Sequence, residues 1–407
     1  VRTAGSLLLA GTLAGATCST WTNEARGDGP PKIEAPTDKL DPERYELAGF
    51  PIVGGNSDIG LQFGGAATLT RFHDAVKPYL WNLDLLLSAA IKNDTNGIRL
   101  TQQSHVLRLD APDVWGGRLR LDGRGSFQRT INQGYYGLGN ASSAVLPQGQ
   151  TDPTRRFQYI QQEGRGRLIS RVHTGTVVDV ALGANLRFES PDTYGGSKLT
   201  DDIAAGGVRG ASQMGLAGIA AGIFIDTRDS EFVTRRGVFY QIGVSATAGT
   251  GEGVGYGEAS AVLAHYAPLP GPFIFASRVV ASAQVGNVPF YDMLQAGVFE
   301  PQYVLGGETG VRGVPNGRYG GRVKFISNTE IRATPFPRFH ILGQRFLIGT
   351  TTFFDWGRVW NDFTVNTALD GTTLGLKYGV GGGLFLQWGE AAIFRIEAAY
   401  SPDAVAE

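Results

Sequence analysis

The chain has a single cysteine, Cys18, among 407 residues, and its 36 Lys and Arg are matched by 37 Asp and Glu. One thiol supports neither a disulfide framework nor a cysteine-based zinc site. A net charge of −1 leaves no basic footprint for nucleic acid. Long hydrophobic runs are missing as well. Beyond the N-terminus the best stretch, Gly215 to Ile225, is short, rich in Gly and Ala, and ends at Asp226, so transmembrane helices are not expected. The five histidines, His73, His105, His173, His265 and His340, lack ligand spacing. There is no Gly-x-Ser-x-Gly elbow, and the glycine clusters lack the strand–turn–helix setting of a phosphate loop. No catalytic residue, metal or cofactor is therefore expected. Glycine, in contrast, is abundant: 59 residues, about twice its usual share of roughly 7%, with no collagen period.

At the N-terminus Arg2 precedes an apolar stretch from Leu7 to Ala16 that ends in Ala14-Gly15-Ala16, the form of a signal-peptidase site. Residues 1–16 read as a secretory signal peptide, and Val1 in place of Met reads as an alternative start codon of a bacterial precursor. Cys18 follows the site, but Gly15-Ala16-Thr17 is a poor lipobox, so the thiol reads as a bystander. Residues 17–46, rich in Pro, Asp, Glu and Gly without an apolar period, read as an extended periplasmic tether. They are too few for a domain, so the remainder, 47–407, is one unit.

That unit alternates in polarity. In Arg322–Arg332 the even positions are mostly charged or amide and the odd ones are Val, Phe, Ser, Thr and Ile. Arg118 to Ile131 and Phe394 to Tyr400 repeat the pattern. A period of two with one wet face means half-buried strands, and fifteen are expected between residues 45 and 400. Three long connections, about 132–153, 190–212 and 287–320, are separated by even numbers of strands and so fall at one end of a meander. Tighter turns, marked by Pro112, by Pro268, Pro270 and Pro272, and by Pro335 and Pro337, fall at the other. The carboxylates Asp226, Asp229 and Glu231 read as a charged turn there rather than a calcium site. Trp81, Trp115, Trp360 and Trp388 lie at strand ends, as interfacial aromatics would. The fold class is all-β, a transmembrane antiparallel barrel in contact with outer-membrane lipid. Arginine outnumbers lysine 29 to 7, with several arginines alternating inward.

One stretch is more specific. Leu305-Gly306-Gly307-Glu308-Thr309-Gly310-Val311-Arg312-Gly313 resembles the loop motif of the Omp85 superfamily, the surface antigen D15 barrels. Ser327-Asn328-Thr329-Glu330-Ile331 and Phe353 to Trp360 resemble the two strands that follow it. Tyr135 to Asn140, Asp226 to Asp229 and Arg236-Gly237 resemble earlier segments. The resemblance implies a sixteen-stranded barrel whose sixth extracellular loop folds into the lumen, where Arg312, flanked by Val311 and Gly313, meets acidic wall residues. Alternation supports this, because Glu330 shares the polar face of Arg322, Lys324 and Asn328, while Asp355 is out of phase with bulky Phe354 and Trp356. The family further implies a role in inserting or translocating polypeptide or lipid at the outer membrane through a seam between first and last strands. A nascent outer-membrane protein or a separately encoded periplasmic protein would be the partner. The alternative is a structural or passive pore-forming barrel. Val314 stands where an aromatic is usual, which predicts a loosely packed loop tip. Periplasmic docking domains and a sixteenth strand ending in an aromatic are expected but not seen, so the barrel reads as C-terminally incomplete or differently closed.

Overall fold

The computed structural model describes residues 43–404, apart from 57–59, 75, 95–96, 149–152, 232, 342–343 and 389–391. The expected signal peptide, Cys18 and the tether as far as residue 42 lie outside the described residues.

Period-two patterning builds one large antiparallel sheet. Its first limb is β1 (Tyr45–Asn56), β2 (Gly60–His73), β3 (Val76–Asp94), β4 (Gly97–Val114) and β5 (Leu119–Gly134). β6 (Gln158–His173), β7 (Val178–Thr193), β8 (Met214–Asp226), β9 (Gly237–Gly249), β10 (Gly255–Pro268) and β11 (Phe273–Asn287) continue it. A two-residue pair, β12 (Gln295–Ala296) and β13 (Gln302–Tyr303), forms within the next connection. The sheet resumes with β14 (Val323–Ala333), a short β15 (Phe339–Ile341), β16 (Gln344–Trp360), β17 (Lys377–Trp388) and β18 (Ala392–Tyr400). The hydrogen-bonded path runs through every long strand in chain order from β1 to β18, and β15 pairs with β16 off that path. Phe50 of β1 and Phe394 of β18 bring the two ends together, their rings 5.5 Å apart. All fifteen strands expected from alternation are present.

Four details differ from the sequence reading. Residues 153–156 form a helical turn rather than the start of β6. β17 begins at Lys377, not residue 372, which creates a fourth long connection at 361–376. Pro112 lies inside β4, at a register shift between Ala111 and Val114, where the ladder needs no donor from it. β3 starts five residues earlier than expected, so Trp81 sits inside the strand.

The two faces separate cleanly. Along β7, Leu182 and Leu186 point outward, and Leu186 is 68% exposed, while Ala181, Arg187 and Glu189 point inward and are buried. Outward Ile219 of β8 and Val244 of β9 extend the same apolar band. We expect Leu186→Lys to lower the unfolding free energy of the bilayer-inserted barrel by roughly 2–4 kcal/mol in urea titrations. An unchanged value would mean that this face does not meet hydrocarbon.

At the long-loop end, the β9–β10 turn grips its neighbour. Glu252 accepts the amides of Gly210 (2.5 Å), Ala211 (3.3 Å) and Ser212 (2.7 Å) and the Ser212 hydroxyl (2.5 Å). Partial burial pushes its pKa up, but the Ser212 hydroxyl and these amides outweigh it and hold the carboxyl below the usual 4.5. A depressed folded value contributes stability above the unfolded pKa and loses it as pH falls through the folded one. The protection factors of the 210–212 amides, referred to the intrinsic exchange rate at each pH, should therefore fall on acidification below pH 4.5, and Glu252→Gln should remove that pH dependence.

Candidate functional site: the luminal loop

The connection from β11 to β14, residues 288–322, turns back into the lumen. Its path depends on glycine. Gly306 (φ +127°), Gly307 (φ +76°) and Gly313 (φ +89°) adopt left-handed backbone that side chains rarely tolerate. Gly310 is required for closeness instead, because a Cβ there would lie 2.4 Å from the Val304 carbonyl. The loop also carries apolar residues of its own. Val304, Leu305, Val311, Val314 and Tyr319 pack with Val262, Val280, Ile326 and Val359 of the wall. Val314 is only 3% exposed, so the expected loose tip is instead filled by the smaller side chain.

This packing delivers Arg312 to the wall. Its Nε donates to Asp355 Oδ2 at 2.7 Å and its Nη2 to Asp355 Oδ1 at 2.9 Å, a two-pronged pair with a carboxylate that is completely buried. Nη1 donates to Glu330 Oε1 at 2.8 Å and to Glu397 Oε2 at 3.1 Å. The guanidinium lies 3.5 Å over the Phe353 ring. Three carboxylates on β14, β16 and β18 thus converge on one cation, and Arg332 offsets the excess by bonding Glu330 Oε2 at 2.7 Å. Gly379 on β17 gives the loop backbone room: a Cβ would stand 1.8 Å from the Arg312 carbonyl oxygen.

Arg312, Glu330 and Asp355, singled out in the sequence, therefore meet. Glu397 and Phe353 were missed. Glu397 was within reach of alternation, because it shares the wet face of β18 with Arg395. Two further anchors left no usable signal. Near the start of the loop, Arg187 grips Asp292 through Nη1–Oδ1 at 2.7 Å and Nη2–Oδ2 at 2.5 Å, and the Tyr256 hydroxyl donates to Asp292 Oδ2 at 2.7 Å. Farther along, the Phe299 ring sits against Gly222 and Gly243, where Cβ atoms would come within 2.8 and 2.7 Å of it.

The aromatic candidates spread over both rims. Trp360 ends β16 at the long-loop end, with Arg358 5.1 Å above its ring. Trp115, 79% exposed, occupies the β4–β5 turn at the opposite end with φ +54°. Trp81 meets Tyr45 at 6.1 Å between ring centres. Trp388 ends β17, and its side chain lies outside the described residues. Asp226, Asp229 and Glu231 do not converge: Asp226 bonds Arg228, Asp229 caps the amides of Arg235 and Arg236, and Glu231 reaches Arg120.

An antiparallel meander with an apolar exterior, a charged interior and an arginine-pinned internal loop defines a plugged outer-membrane-type β-barrel. Residues 101–403 match the Omp85 superfamily domain, and the chain belongs to that superfamily, whose barrels are outer-membrane proteins. Its fold is similar to BamA from Haemophilus ducreyi lacking POTRA domains 1–3, at 14% identity and a TM-score of 0.52, over 88% of this chain and 70% of that one. It is also similar to CdiB from Escherichia coli, at 12% identity and a TM-score of 0.50, over 88% of this chain and 62% of that one. No curated protein sequence matches it. At these identities the likeness is one of fold.

Replacing Arg312 with Ala would leave three carboxylates facing each other in a confined site, at a cost of roughly 3–5 kcal/mol for a dry site and less for a wet one. Arg312→Ala should lower the thermal transition and expose 305–320 to protease in the folded barrel. Gly379→Val, which leaves every charge in place, should expose the same segment by pushing the loop off the wall. Unchanged proteolysis in both would show that the loop is held by other contacts.

Proposed function

We propose that this chain inserts or translocates polypeptide at the outer membrane, with the luminal loop as its resting plug and the β1–β18 contact as its lateral seam. In this reading residues 1–16 export the chain, 17–46 tether it in the periplasm and 47–407 form the barrel. The substrate is a nascent outer-membrane protein, delivered directly or by a separate periplasmic partner.

The observation that carries the proposal is the choice of strands joined by Arg312. Its carboxylates include Glu397 on β18, the last strand of the hydrogen-bonded path. Gly313 backs onto the same strand, with a hypothetical Cβ 3.1 Å from the Tyr400 carbonyl carbon. The plug is therefore fastened to the seam strand itself. Across the β1–β18 contact Phe50 of β1 and Phe394 of β18 face each other, their rings 5.5 Å apart. In this reading the sheet parts at the seam, and releasing Arg312 from Glu397 loosens its edge.

Two measurements test this. In planar bilayers the intact chain should conduct little and deletion of 306–320 should open a steady pore. A large, steady pore unaffected by the deletion would support a passive channel instead. In vesicles the barrel should speed the folding of an unfolded outer-membrane protein severalfold. A Phe50→Cys/Phe394→Cys disulfide, made with Cys18→Ser, should abolish the acceleration, and full activity of the cross-linked barrel would rule out the seam.

A further inference from the structure

The wall formed by β4, β5 and β6 has an unusual charge arrangement. Strand register sets Arg108 directly opposite Arg124, and Arg124 directly opposite Arg167, so three guanidiniums stand in one row on the luminal face. Like charges in directly opposed positions repel. The outer two are answered. Arg108 bonds Asp122 Oδ2 through Nε at 2.7 Å. Arg167 bonds the Phe299 carbonyl at 2.6 Å and lies 3.4 Å from Glu300, both from the luminal loop. Arg124, in the middle, makes no hydrogen bond or ion pair among the described residues.

Beside this row lies a cavity of about 200 Å³ between the wall and the loop, lined by Arg124, Arg165 and Arg167, with Gln128 and Gln161, and closed on the loop side by Gln302 and Tyr303. Its donors outnumber its acceptors. The Nε groups of Arg165 and Arg167 are buried without a hydrogen-bond partner, a condition that normally costs free energy. The one carboxylate of the lining, Glu163, is already engaged by Arg165 Nη2 at 2.8 Å. With Arg165 paired to Glu163 and Arg167 to Glu300, the Arg124 guanidinium is left over beside two unpartnered Nε donors, and the cavity is complementary to negative charge.

We propose that this cavity is a seat for a small oxyanion of the phosphate type, centred on Arg124. Guanidinium forks match the oxygen pairs of such anions. The donors come from β5, β6 and the loop, which suits a tetrahedral anion that accepts in several directions better than a planar one. Occupancy neutralises the middle of the arginine row. Because Gln302 and Tyr303 form the loop side of the seat, the anion also ties the plug to the wall. A ligand that binds only the plugged arrangement stabilises that arrangement in proportion to its occupancy.

The test uses the full chain folded in detergent, with inorganic phosphate as the probe at constant ionic strength. Wild type should bind phosphate saturably, and protease cleavage of the loop should slow as the site fills. Arg124→Gln should weaken binding at least about tenfold, the loss of one charge-assisted hydrogen bond, and should remove the protective effect. Arg235→Gln, which deletes an exposed charge in the β8–β9 turn, should leave both unchanged. Heat-modifiable gel mobility verifies that each variant is folded, and Arg124→Lys, which keeps the charge, should retain part of the affinity. Absence of saturable binding by wild type, equal binding by Arg124→Gln, or equal weakening by Arg235→Gln would each overturn the assignment.

Discussion

A chain inside hydrocarbon must satisfy its own backbone, because an unpaired N–H or C=O there costs several kcal/mol. The rest of this structure follows from that constraint. The strands can meet it only as a continuous ladder, and a ladder forces neighbouring side chains to opposite faces. One face then belongs to lipid and the other to an enclosed lumen. Leu182 and Leu186 take the first, Arg187 and Glu189 the second, although they are interleaved along a single strand. The same constraint explains why overall hydropathy is uninformative here, since the two faces cancel in any average along the chain.

A lumen built this way is rich in charge and narrow, and its charges are stable only where they meet. Arg312 is the clearest case: a bidentate bond to a fully buried carboxylate, two more carboxylates and an aromatic face surround one guanidinium. Arg187 and Asp292 repeat the bidentate arrangement near the start of the same loop. Between them Phe299 uses the opposite chemistry, a ring seated where Gly222 and Gly243 leave the wall bare. Lys324 adds a fourth tie by donating to the Asp292 carbonyl at 3.2 Å and to Gln284 at 2.7 Å. The loop is therefore fixed along its length, by ion pairs at both ends and by packing in the middle. Through Arg312 and Gly313 its tip rests on β18, at Glu397 and beside Tyr400.

Glycine abundance divides into separate physical tasks on this scaffold. Gly306, Gly307 and Gly313 supply backbone angles. Gly379 supplies distance, letting the Arg312 carbonyl approach the wall. Gly222 and Gly243 supply a socket. Composition alone registers the excess without separating these roles, because each is defined by a neighbour distant in sequence.

The sequence by itself determined the strands and their faces, since alternation is local and lipid imposes it on every crossing. It therefore also indicated that Glu330 and Asp355 face the lumen and, through the Val311-Arg312-Gly313 motif, which loop arginine to follow. The extra helical turn before β6 and the late start of β17 escaped it, because loop residues near strand ends keep some alternation without a partner strand. Only the tertiary structure decided which charges meet. Glu397 joins Arg312, Asp292 joins Arg187, and Arg124 is left between two arginines, because register and loop path bring together residues that no local pattern connects.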